Sequence, residues 1–127
     1  MTLPEQVARY LQAQGIGTIG TDMFISHQPP APDNCITVYQ RDGFASDRYS
    51  PLGNVSIQMI VRNTNYDSGQ TIVNNISSQL HQLNNLELVA GQNYFYYLFT
   101  EVDPGHIGRD DLNRDEWSLN FECKTRI

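Results

Sequence analysis

Lysine is all but missing from this sequence. Seven of the eight basic residues are arginines and Lys124 stands alone; against fourteen acidic residues they leave a net charge of −6. A chain so short of positive charge has no broad electrostatic grip on phosphates, which argues against nucleic-acid binding as its main activity. Cysteine is scarce too. Cys35 and Cys123 lack any C-x-x-C spacing and read as two buried thiols in a reducing compartment, with a structural disulfide as the weaker alternative. No apolar run approaches the ~20 residues that span a bilayer, and the mean hydropathy is −0.45. Glu5 and Arg9 interrupt the stretch where a secretory leader needs an unbroken apolar core, so neither leader nor membrane segment is expected. Internal repeats, low-complexity tracts, G-x-S-x-G, a Walker loop and H-E-x-x-H are all absent.

What remains is the composition of an ordinary globular chain, 39% hydrophobic and 17% charged over 127 residues. That length makes one domain, residues 1–127, large enough to bury a core without metal or disulfide. The surplus of arginine over lysine points to fixed contacts with carboxylates, since the guanidinium fork is planar and rigid.

The first predicted element is a helix from Leu3 to Gln14. Thr2 and Glu5 have capping-box spacing, Pro4 sits in the first turn, Gly15 supplies the stop, and Leu3, Val7, Tyr10 and Leu11 line one face. A short strand is expected from Met23 to His27, then the Pro-rich run Gln28 to Asp33, which cannot be helix or central strand. Cys35 to Gln40 reads as a strand closed by a turn at Asp42-Gly43, and Phe44 to Gly53 as a loop. Asn54 to Arg62 alternates, with Val55, Ile57, Met59 and Val61 on one face; Ile60 on the other predicts that part of that face is covered as well. A second helix is expected from Tyr66 to Leu83, capped by Asn63 to Asn65 and ended by Asn84-Asn85. Strands follow at Leu86 to Val89, Tyr94 to Val102 and Trp117 to Thr125, with Trp117 and Phe121 assigned to the core. The order predicts an α+β fold: a mainly antiparallel sheet with two helices packed on its apolar face.

The fourteen residues from Asp103 to Glu116 are expected to form a loop, longer than compact domains usually carry without a function. His106, Asp103, Asp110 and Asp111 have the donor types for a hard divalent ion, although their spacing matches no EF-hand. The simpler reading is a hairpin whose charges are solvated or paired with Arg109 and Arg114. Arg109, Asp110, Asp111 and Arg114 are therefore the expected contacts with partners or neighbouring copies, the alternative being intramolecular pairing that orders the hairpin. Phe44 and Tyr49 join them, because their loop holds more apolar surface than solvent demands. Asn120 in the last strand is a candidate to hold the loop backbone.

The runs Pro30-Ala-Pro-Asp-Asn-Cys-Ile-Thr-Val-Tyr39, Val55 to Arg62 leading into Asn65-Tyr66, and Gly108-Arg-Asp-Asp-Leu-Asn-Arg114 followed by Trp117-Ser-Leu-Asn-Phe121 carry a resemblance across nearly the whole chain. Together the sequence resembles the small bacteriophage proteins labelled "minor capsid protein", which are similar to tail terminators of long-tailed phages. Asp111 and Leu112 stand where Glu and Asn-Gly-type turn residues are expected, a mild departure. The resemblance implies a tail-terminator-like fold and structural work without catalysis, cofactor or metal. It implies a hexameric ring of copies in the virion neck, assembled in the host cytoplasm, that stops growth of the tail tube and docks to the head-tail connector. Its partners would be the tail tube protein and the connector or stopper, with DNA passing through the lumen without specific binding. The competing expectations are a head-completion (stopper) protein and a small metal-binding enzyme built on His106 and the aspartates.

Overall fold

The computed structural model describes residues 1–41, 52–81, 83–100 and 105–126. The expected turn at Asp42-Gly43, the loop residues Phe44 and Tyr49, Val102 and Asp103 lie outside the described residues.

Helix α1 spans Leu3–Ala13. Its Thr2 side chain accepts from the Glu5 amide at 3.3 Å, Val7, Ala8 and Leu11 are buried, and Gly15 leaves the helix at φ 81°, where a Cβ would be strained. Helix α2 spans Tyr66–Leu80, its Asn65 side chain accepting from the Ser68 amide. It ends three residues before the expected Leu83. His81 is already extended, and Leu83 opens strand β4 (Leu83–Glu87) opposite Leu98. Leu83 continues the helical apolar stripe from Leu80, so local periodicity fits both choices; the cross-strand partner decides it. Asn84 and Asn85 accordingly lie in a strand instead of ending a helix.

The remaining strands are β1 (Met23–Ile25), β2 (Cys35–Arg41), β3 (Leu52–Asn63), β5 (Tyr94–Thr100), β6 (Gly105–Arg109) and β7 (Asp115–Arg126). The sheet order is β1-β2-β3-β7-β5-β4, with β6 also paired to β7; every pairing is antiparallel except β1 with β2. This is the expected α+β fold. Strand β6 corrects the reading of 103–116 as one long loop: four of its five residues, Gly105, His106, Gly108 and Arg109, pair with β7. Glycines at 105 and 108 hide it in the sequence, because they break the alternation that marks a strand.

Strands β3 and β7 form the spine, paired from Leu52 opposite Arg126 to Asn63 opposite Asp115. This register sets Ile57 against Phe121, Met59 against Leu119 and Val61 against Trp117, all buried with Val38, Phe95 and Leu98. Helix α1 packs over β1 and β2, and α2 over β3, β7 and β5. Alternation sends Ser56, Gln58, Ile60, Ser118, Asn120 and Glu122 to the opposite face.

One end of that opposite face is covered, as Ile60 suggested, and the cover is the Pro-rich run. Prolines have no N–H to give a ladder, and the carbonyls of such a segment need donors when they leave water. Two arginines supply them. Arg62, 4% exposed, donates to the carbonyls of Pro29 (2.8 Å), Pro32 (2.7 Å) and Asp33 (3.2 Å). Arg114, 6% exposed, donates to the Pro30 carbonyl at 2.6 Å and to the Asp33 carboxylate at 3.3 Å. Beneath lie Cys35 and Thr37, both buried. Both cysteines are free and buried, on strands β2 and β7 with β3 between them, so the thiol reading holds and the disulfide does not. Burial pushes the Cys35 thiol up, with Arg62 and Arg114 pulling the other way.

Candidate functional site

Of the residues singled out from the sequence, His106, Arg109, Asp110, Asp111 and Arg114 lie on the β6–β7 hairpin. Its turn is built around one carboxylate. Asp110 Oδ1 accepts from the amides of Leu112 and Arg114, both at 2.9 Å, and Oδ2 from Arg114 Nε at 2.7 Å; Asn113 closes the turn at φ 59°, a conformation Asn tolerates better than most residues. Burial works to raise the Asp110 carboxyl, but the hydrogen bonds from Arg114 and Leu112 outweigh it and hold it below the usual carboxylate range. Burial likewise opposes the charge on Arg114, and the Asp110 and Asp33 carboxylates outweigh that too. Arg114 therefore joins the hairpin to the Pro-rich run.

A second carboxylate organises the base of the hairpin. Asp115, 2% exposed, receives His106 Nε2 at 3.0 Å and Arg109 Nε at 3.2 Å on the same oxygen. An ionised carboxylate only accepts, so Nε2 is the protonated nitrogen of His106. The imidazole meets both Tyr66 and Trp117 edge-on, each centroid 5.3 Å away, and those two rings also touch each other at 5.5 Å. The His106 hydrogen bond is the main influence that lowers the Asp115 carboxyl; burial opposes it and Arg109 adds to it. The lowered group contributes stability that is complete above the unfolded-state pKa of about 4 and is lost as pH falls through its folded value. Melting temperature should therefore drop more steeply below pH 4 in the wild type than in Asp115→Asn. Parallel acid limbs would show that Asp115 is not responsible.

The expected contact residues thus divide. Arg114 and Asp110 are engaged within the chain, the alternative pairing that orders the hairpin. Arg109 (61% exposed side chain) and Asp111 remain at the surface, joined by two apolar side chains that sequence reasoning passed over, Ile107 at 60% and Leu112 at 65% exposure. Ile107 is the extra residue of a bulge between His106 and Gly108, the device by which a strand re-aims a side chain. Asn120 sits on the sheet face away from the helices, and its partners among the described residues are Arg41, from which it accepts at 2.7 Å, and Ser118. His106 turns to Asp115 and Asp110 to Arg114, and among the described residues no three His, Cys, Asp or Glu side chains cluster as a metal site would require. Arg62 and Asp115 were also missed; a Pro-rich run with no donors of its own was the signal that a buried arginine must serve it.

Elsewhere the surface carries shallow hollows. One of about 460 Å³ runs along α2 past Gln70, Asn74, Ser77, Ser78 and His81. Another, about 420 Å³, lies at the sheet edge between His81, Asn84, Tyr97, Leu98 and Phe99. No described helix is long and apolar enough to cross a membrane.

Comparison with known proteins agrees with this geometry. A family model described as bacteriophage tail terminator protein matches residues 10–127. A chain in the structure "Virion of native gene transfer agent (GTA) particle" superposes with a TM-score of 0.74, covering 98% of this chain and 95% of that one at 15% sequence identity. Curated protein sequences give no match.

Proposed function

We propose that this chain, which belongs to the bacteriophage tail terminator family, closes the head-proximal end of a phage tail tube as a ring of six copies. It is a structural protein of the virion. In this reading it seats on the last tube ring, stops further addition, and offers its other side to the head-tail connector. The family match over residues 10–127 is the observation that carries the proposal. The fold is consistent with a passive part: Asp110, Asp115 and Arg114 of the hairpin, with Arg62 beside it, are hydrogen-bonded to charged side chains and to carbonyls, a pattern that fixes shape.

A ring needs two different patches per copy that meet around a closed rotation. A free sheet edge would instead invite open-ended strand addition, and the strands at the two ends of the main strand order are poor templates. Strand β1 is three residues long, and β4 is interrupted by Asn85 at φ 53°. The net charge of −6 disfavours adhesion of DNA moving past.

Tube protein polymerised with the purified chain present should give tubes of bounded length bearing a six-fold ring at one end in electron micrographs. Unbounded tubes without such rings would overturn the proposal. Binding to the portal-side adaptor in preference to the tube would reassign the protein to the stopper position.

A further inference from the structure

We propose that neighbouring copies meet head to tail through a knob and a hollow: the exposed Ile107 and Leu112 of one copy against the hollow between His81, Asn84, Tyr97, Leu98 and Phe99 of the next. The proposal rests on the ring reading and names the two patches that such a ring requires.

The knob is apolar surface that the monomer leaves uncovered. Ile107 and Leu112 are 60% and 65% exposed, two of only four large hydrophobic side chains so exposed among the described residues. The bulge at Ile107 and the Asp110-capped turn before Leu112 hold both in fixed positions, so little conformational freedom is lost on contact. The hollow, about 420 Å³, is walled by an aromatic pair, Tyr97 and Phe99, whose rings lie 5.2 Å apart. Rigid aromatic walls and aliphatic anchors are what the buried centre of an interface is made of.

Charge supports a second copy as the occupant. Arg109 and Asp111 flank the knob, while beside the hollow Glu122 lies opposite Phe99 and Lys124 opposite Tyr97. Each patch offers one charge of each sign two residues apart, so two pairs of opposite sign form when they meet, on a chain whose net charge otherwise repels its copies. A copy cannot fill its own hollow. The knob stands at the start of β7 beside Asp115 and the hollow beside Glu122, seven residues or about 23 Å further along the strand.

The test uses two full-length variants that each add one exposed cysteine, Leu112→Cys and Asn84→Cys. Both positions are exposed, and the native Cys35 and Cys123 are buried. Mixed under mild oxidation, the two variants should form a disulfide-linked pair in at least tenfold excess over either alone, and the double variant should give a ladder ending in a closed ring. In parallel, Leu112→Asp should weaken self-association at least tenfold with an unchanged circular dichroism spectrum. Multi-chain wild-type assemblies without a 84–112 cross-link would overturn the knob-and-hollow contact while leaving the ring intact. Cross-linking of Leu112→Cys chiefly to itself would also overturn it, in favour of a two-fold contact. A wild type that stays single both in solution and on tube ends would remove the ring reading and this contact with it.

Discussion

Replacing Arg62 with leucine is expected to lower the unfolding free energy by about 3 kcal/mol, the scale of a buried charged donor removed from its acceptors. The three carbonyls it serves, those of Pro29, Pro32 and Asp33, belong to a segment with few amides of its own to exchange for them. Leucine fills part of the volume and satisfies none of the oxygens. With a slope near 2 kcal/mol/M, a typical value for a small domain, the urea midpoint moves down by about 1.5 M. Arg62→Lys should recover only a minority of the loss, because one ammonium nitrogen cannot spread its donors over the same three directions as the guanidinium fork. Against a total stability of roughly 5–15 kcal/mol, this substitution threatens the fold itself. A midpoint within 0.3 M of the wild type would show that water serves these carbonyls equally well and that Arg62 is not the staple.

Gly69→Ala should cost about 2 kcal/mol, against the ~1 kcal/mol gain that alanine normally brings to a helix interior. Gly69 is buried in the first turns of α2, and a Cβ there would run into Cη2 and Cζ3 of Trp117, with the Asn63 side chain close behind. The indole cannot retreat: it is fully buried, tethered to Gln70 through Nε1 at 3.1 Å, and backed by Tyr66 and His106. Trp117→Phe removes the colliding part of the ring and also loses about 2 kcal/mol through the void and the lost hydrogen bond. Combined, the two changes should cost less than their sum by at least 1 kcal/mol, since each relieves the other's fault. Additivity within 0.5 kcal/mol in denaturant melts would place the indole and Gly69 out of contact.

Gly69 also shows where sequence pattern stops being informative. The second helix was legible from the Asn65 cap and from Val73, Ile76 and Leu80, yet a glycine inside it looks like a defect until its neighbour across the core is known. The same holds for β6, whose residues Gly105 to Arg109 carry no alternating pattern and are a strand only because β7 offers an edge. By contrast, the spine of the sheet was readable: Val55 to Val61 and Trp117 to Cys123 alternate cleanly, and their register sets the apolar members face to face. Of the expected contact residues, Arg109, Asp110, Asp111 and Arg114 fall on one hairpin, but sequence could not tell that Arg114 turns inward. That depends on Asp33, 81 positions away along the chain. Exposure of Ile107 and Leu112 was passed over for the opposite reason: both stand in a polar stretch read as a loop, where the charged residues drew attention, and only the completed fold shows them uncovered.

The acceptors of Arg62 are neutral carbonyl dipoles, and that has a consequence for the environments the protein can tolerate. Added electrolyte weakens attractions between exposed ions within a Debye length of about 8–10 Å at physiological concentration, but acts far less on a sequestered cation hydrogen-bonded to uncharged oxygens. The Pro-rich cover therefore keeps its place whether the surrounding ion concentration is high or low, while the exposed Arg109 at the hairpin responds to it. Rigidity and adhesion are thereby placed under separate control.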